Sequence, residues 1–317
     1  MSKYIIKRLL QSIPLVILIS VIVFFLIKLA PYDAIDAMIT PDMEPETIEM
    51  IRARYGYDKP AYIQYLSWFR GMLRGEFGYS IQNKMPIGKE LAHRIPSTLK
   101  LMLPAYAISY LLAIVLGLIA GYNRGGLVDR VIDGFCSMGI SVPGFWLAML
   151  LIYFLGFKYK LLPVLGMYTV GAEKTFGDFF LHLIMPCTVL IVVTTPSLIR
   201  YVRSSTIGQL SEDYVMIQKS FGAKDREILF KHIYKNVLLP IITRFGMTLP
   251  NLVTGAIITE SVFSWPGVGP YFVKAVSAMD FPVIMTILLL SSLLVVLGSL
   301  LADILYSIVD PRIKDMG

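Results

Sequence analysis

The residues that could do covalent chemistry in this 317-residue chain are few and scattered. His93, His182 and His232 stand far apart, and each reads as a surface or interfacial residue rather than a metal ligand. Cys136 and Cys187 both fall in apolar runs, with neither a ligand spacing nor a disulfide context. No plausible site holds paired carboxylates, H-E-x-x-H or G-x-S-x-G, so an enzyme reading has little support. Gly88-Lys89-Glu90 lacks the upstream glycine and the hydroxyl residue of a P-loop, so the chain has no ATP site of that kind. No cofactor or metal is expected. What remains is charge: one long charged stretch, Ser211 to Pro240, and two charges placed inside apolar runs, Arg244 and Asp303.

The stretch "SEDYVMIQKSFGAKDREILFKHIYKNVLLP" suits docking rather than catalysis. Ser211 is a candidate helix cap, and Glu212 and Asp213 suit the positive end of a helix dipole. The first helix is expected to end near Phe221, where Gly222 fits a left-handed stop. A second short helix is expected from Lys224, with Asp225 and Glu227 in its first turn and Lys231 and Lys235 near its end. Its apolar edge, Ile228, Leu229 and Ile233, is expected to face the cytoplasm together with the charges. The competing reading is an ordinary charged loop between two spans.

These residues must be positioned by a membrane scaffold. The chain is 56% hydrophobic and 16% charged, with mean hydropathy +0.68. Soluble domains carry about 25% charged residues. The net charge of +7 sits beside apolar runs, which suits membrane orientation better than nucleic acid, and no aromatic-basic stacking pattern stands out. Six runs are long enough for spans: about 9–29, 101–122, 134–157, 179–199, 237–259 and 281–302. The first, behind Lys3, Lys7 and Arg8, resembles a signal peptide, but it is long for one and no small-x-small site follows. It reads as an uncleaved span. Lysine and arginine dominate the start, the turn at Arg124 and Arg130, residues 211–236 and the end, which places both termini in the cytoplasm. The expected fold is an all-α polytopic membrane protein of one domain over 1–317, with no internal repeat.

Within the spans, Gly117 and Gly121 form a small-xxx-small pair that permits close helix approach. Pro143 breaks the third span, either to line a pore or as a tolerated kink. Arg244 and Asp303 lie one to two turns from the cytoplasmic face of the last two spans. They either pair as an inner gate or snorkel separately to the interface. Residues 30–100 form an external loop. It lies on the membrane through Tyr65, Trp68 and Phe69, or it builds a small subdomain that touches a partner.

Asp213, Tyr214, Val215, Gly222, Asn236, Leu238, Leu239 and Pro240 resemble the "EAA" loop of ABC importer membrane subunits, in the form used by dipeptide and oligopeptide permeases. Met216, Ile217 and Gln218 depart from the glutamate and small residues usual there. The resemblance extends over nearly the whole chain. It takes in Gly56, Asp58, Pro60, Gln64, Tyr65 and Gly75-Glu76-Phe77-Gly78 with Ser80. It continues through Ser141, Pro143, Phe145 and Trp146, then Asp280-Phe281-Pro282 and Asp310-Pro311-Arg312. Ala30-Pro31-Tyr32-Asp33-Ala34 matches in part. The most specific string is Glu260, Phe263, Trp265, Pro266, Gly267 and Gly269, an external turn.

The resemblance implies a type I ABC importer transmembrane domain that moves peptides. Close relatives in the family move nickel or metal chelates, glutathione or peptide antibiotics. Its implied partners are a second homologous permease subunit, two ABC ATPase subunits and an extracytoplasmic substrate-binding protein. Asp213, Tyr214, Gly222, Ala223, Lys224 and Glu227 would then couple ATPase closure to the pore. A different class, a membrane scaffold recruiting a cytoplasmic partner through the same loop, would need an output domain that this chain does not display.

Overall fold

Where apolar runs are this long, only helices satisfy the backbone inside hydrocarbon. The computed structural model describes residues 2–29, 39, 42–54, 56–224, 227–250 and 256–309, and its regular structure is helical apart from one bridge between Tyr79 and Pro86. Among the described residues four helices are long and apolar enough to cross a membrane, or five when one strongly bent pair is counted as a single span. They are α1 (Ser2–Lys28), α4 (Ile87–Tyr122), the pair α5 (Leu127–Ser141) and α6 (Gly144–Leu151), α7 (Phe176–Leu210) and α12 (Phe281–Val309). α6 runs on as a π-helical segment, Ile152–Lys158.

The helices outrun the apolar stretches that announce them. α4 starts at Ile87, so the segment expected over residues 30–100 closes at Pro86 rather than near Lys100. Ile87 and Leu91 are buried, and packing rather than lipid holds these extra turns. α7 likewise continues past Ile199 to Leu210. Between α5 and α6 the chain bends by 93° at Val142-Pro143. Pro143 cannot donate to the ladder, and it disfavours helix at the residue before it.

The segment between α1 and α4 contains α2 (Pro45–Arg54) and α3 (Ala61–Leu73). α3 packs on α1: the Tyr65 and Trp68 rings sit 5.5 and 5.9 Å from Phe24, and the Tyr65 and Ser20 hydroxyls are hydrogen-bonded at 2.8 Å. The partial match at 30–34 and the Asp-Pro-Arg at 310–312 lie outside the described residues.

α4 and α7 form the centre. A Cβ on Gly117 would stand 3.0 Å from the Ile199 carbonyl, and one on Gly121 equally close to that of Arg203. Only glycine lets these backbones approach so closely. The core beside them gathers Leu118, Cys136, Leu198, Ile199 and Val202. At the base of α5 the buried Asp129 accepts from the Gly125 amide and from Nε and Nη2 of Arg203, at 2.8, 2.5 and 2.8 Å, which staples α5 to α7.

The residues expected to form a fifth span, 237–259, fall in two shorter helices, neither of them among the helices long and apolar enough to cross a membrane. α9 (Tyr234–Thr248) precedes residues 251–255, which lie outside the described residues, and α10 (Ile257–Val262) follows them. α11 (Val268–Ser277) then leads to α12. α9 meets α12 at Gly246 and Gly298, whose backbones lie in direct contact.

Candidate functional site

The charged stretch begins where α7 ends. Ser211 belongs to that end: its amide donates to Gly208 and its hydroxyl to the Ile207 carbonyl at 3.3 Å. It therefore does not cap the next helix, because its near-helical backbone turns the hydroxyl back along α7. Glu212 takes the extended cap position instead, without a side-chain cap bond. α8 is Asp213–Ser220.

α8 stops as the glycine requires. Gly222 has φ +79°, its amide donates to Lys219, and the Ala223 amide donates back to Gln218. These two bonds are the Schellman pattern, which satisfies carbonyls the helix end would orphan. Asp225 lies outside the described residues. Lys224 accepts from the amides of Glu227 and Ile228, and Glu227 pairs with Lys231 at 3.1 Å.

The second helix is not a separate short element. A π-helical turn, Ile228–Ile233, leads directly into α9, so the end of the charged stretch and α9 form one continuous rod. Its apolar edge is not offered to the cytoplasm. Ile228 and Ile233 are fully buried and Leu229 nearly so, against Val215, Ile199 and Val202. An apolar stripe on a charged helix does not by itself say which neighbour covers it; here the bundle does. The apolar surface left outside is on α8: Met216, Ile217 and Phe221, with Phe221 83% exposed.

A polar clasp holds α8 in place. The Tyr214 hydroxyl donates to Gln209 Oε1 at 2.8 Å, and Asn236 Nδ2 donates to the same oxygen at 2.9 Å. Asn236 also reaches the Tyr214 oxygen at 3.3 Å. Burial pushes the Tyr214 phenol above its ordinary value, so it remains a donor at neutral pH. Gln209, on the last turn of α7, was not legible in the sequence as part of this unit. Asp213 and Lys224 are exposed, Ala223 is half-buried, and Val215 anchors α8 from below.

At the opposite end, the string from Glu260 to Gly269 ties the α10–α11 turn to α4. Trp265 is fully buried and its Nε1 donates to the Ser97 carbonyl at 2.7 Å. Thr98 Oγ1 accepts from the Val268 amide at 2.9 Å, and the buried Glu260 carboxylate accepts from the Gly269 amide at 2.8 Å. A Cβ on Gly269 would stand 2.7 Å from the Ile257 Cα, which accounts for that glycine. Asp280 plays a similar part below: it accepts from the Ser80 hydroxyl at 2.5 Å and from the amides of Ile81 and Gln82.

The family model described as "Binding-protein-dependent transport system inner membrane component" matches residues 113–315, and its N-terminal companion matches residues 1–102. The chain belongs to this family. It is an ABC transporter permease, an inner-membrane component. Its relatives match end to end. It is 37% identical to the oligopeptide transport system permease protein AppB of Bacillus subtilis, over 99% of this chain and all of that one. It is 34% identical to a putative peptide permease of Brucella suis and 33% identical to the glutathione transport system permease protein GsiC of Escherichia coli, each over 99% of both chains. In fold it is similar to a chain of the MetNI methionine ABC transporter in an inward facing conformation. The TM-score is 0.54 at 16% identity, over 71% of this chain and 98% of that one.

Arg244 and Asp303 of the permease stand on touching helices. Arg244 of α9 is exposed, with its guanidinium 5.0 Å from the Tyr201 ring of α7. Asp303 of α12 is half-buried one helix away, beyond the Gly246–Gly298 contact.

Proposed function

We propose that this permease is one of two channel-forming subunits of an ATP-driven importer for oligopeptides or dipeptides. It has six spans and both termini in the cytoplasm. A second homologous permease subunit would complete the channel, two ATPase subunits would supply hydrolysis, and an extracytoplasmic binding protein would deliver the peptide. The single observation that carries the substrate is full-length similarity to AppB, an oligopeptide permease.

The geometry of α8 supports the coupling role. Its exposed apolar residues, Met216, Ile217 and Phe221, sit on a helix clasped to α7 through Gln209 and to α9 through Asn236. An ATPase cleft closing on α8 moves two spans together, because α8 has no freedom to tilt alone. Packed helices that move as rigid bodies are the usual basis of alternating access. Asp213, Lys224 and Glu227 frame α8 with charge for the ATPase surface. Arg244 and Asp303 pair across α9 and α12 to close the inner gate; a double charge reversal that fails to restore uptake lost in each single reversal overturns this.

A mild-detergent pull-down of the tagged permease tests the assembly. Recovery of a second permease and P-loop ATPases is expected, with peptide uptake lost in a strain lacking this chain. Recovery without an ATPase favours a membrane scaffold. The match to GsiC supports a second cargo reading, glutathione, which the same strain tests with labelled glutathione.

A further inference from the structure

α5 has three faces. Asp129, Cys136 and Gly139 turn to the bundle and are buried. Val131, Phe135 and Met138 form an exposed apolar face, with Met138 65% exposed. Asp133, Ser137 and Ser141, at i, i+4 and i+8, form a third face that is exposed and polar. Lipid suits the second face and not the third.

The polar face continues across α7. Arg200 Nε pairs with Asp133 at 3.1 Å and its Nη2 donates to Ser137 at 2.6 Å, with both charged side chains about half exposed. Ser197 and Ser204 stand one turn above and below Arg200 on the same exposed stripe. Tyr201, carrying Arg244 over its ring, extends the surface to α9.

The upper end of this surface is the 93° break. α6 begins at Gly144 without a side-chain cap, and Ser141 beside it is exposed. Unpaired helix ends at membrane depth are tolerated only against protein or water. A broken helix and an exposed ion pair on one surface therefore describe a wetted wall, and the serines along it, of which Ser141 and Ser197 also donate to the Ser137 and Thr194 carbonyls of their own helices, offer hydroxyl oxygens to it.

We propose that Asp133, Ser137, Ser141, Ser197 and Arg200 line the aqueous route through this subunit and contact the charged ends of a zwitterionic cargo. Arg200 meets a carboxylate and Asp133 an ammonium group, each exchanging its present partner for the cargo. The second half rests on the peptide-importer reading.

The test is cysteine reactivity in the assembled importer. Ser137→Cys, Ser141→Cys and Ser197→Cys are compared with Phe135→Cys and Met138→Cys, using a charged, membrane-impermeant thiol reagent. The native Cys136 and Cys187 are buried and give the background. A cysteine-free version, Cys136→Ala with Cys187→Ala, repeats the series. The polar-face cysteines are expected to react at least about tenfold faster, the equivalent of one unit of thiol pKa between water and hydrocarbon. Saturating peptide is expected to slow them severalfold. Equal rates on both faces overturn the route. Reaction in the isolated chain that disappears in the assembled importer assigns the face to the partner subunit, and also overturns it. Fast reaction slowed by glutathione or a metal chelate but not by peptide upholds the wall and refutes the peptide reading. Fast reaction that no cargo slows overturns the contact with cargo.

Discussion

Phe221→Ala is the sharpest probe of the proposed docking role of α8. The side chain is 83% exposed at the C-terminal end of α8 and follows no fold requirement, since Gly222 makes the stop. Fully burying a phenylalanine is worth about 1.5–3 kcal/mol. If Phe221 enters a cleft of the ATPase subunit, truncation forfeits that energy in the complex and almost nothing in the free permease. At about 1.4 kcal/mol per tenfold, association weakens by roughly tenfold to a hundredfold. The assay is ATPase-subunit binding to the permease in lipid nanodiscs, beside thermal unfolding of the permease alone. Unchanged affinity would refute the reasoning. So would a lower melting temperature of the free permease with a matching loss of binding, because the residue would then be structural.

Three further outcomes follow from the packing and the polar ties. Gly121→Leu pushes a side chain into Thr206 and the α7 backbone. Overpacking of this kind costs about 1–3 kcal/mol or more, read as a lower detergent melting temperature. Asp280→Ala leaves the Ser80 hydroxyl and two amides without their acceptor, a loss of several kcal/mol locally. The turn at residues 80–86 should become sensitive to protease while the long helices remain intact. Trp265→Phe keeps the buried ring but loses the bond to the Ser97 carbonyl. It should cost about 1 kcal/mol and leave assembly unchanged in the pull-down.

Local chemistry made some features legible. Gly222 stood where only a left-handed residue ends α8, and Gly117 and Gly121 stood where two helices must touch. Hydropathy marked the centres of α1, α4, α7 and α12, but it could not give the ends of α4 and α7. Those extra turns are held by burial against protein, which an apolarity scale does not see. The destination of Ile228, Leu229 and Ile233 was hidden for a related reason: amphipathic spacing shows that a stripe will be covered, not by what. The clasp was hidden because Gln209 precedes Asn236 by 27 residues, and only the return of the chain at Gly222 brings them together. The Glu260–Gly269 string was conspicuous as a pattern, yet its logic needed α4 beside it, since Ser97 and Thr98 supply the partners.

The contact between Gly246 and Gly298 carries one more consequence. Most helix pairs mesh like gears, with ridges seated in grooves, and a rotation of one against the other must lift teeth over teeth. Here two smooth backbones meet with no teeth at the point of closest approach. The joint has the form of a plain bearing, in which the nearest side-chain atoms are the Cβ atoms of Ala302 and Leu249 at its rim. A single added methyl at either position would put grit in that bearing.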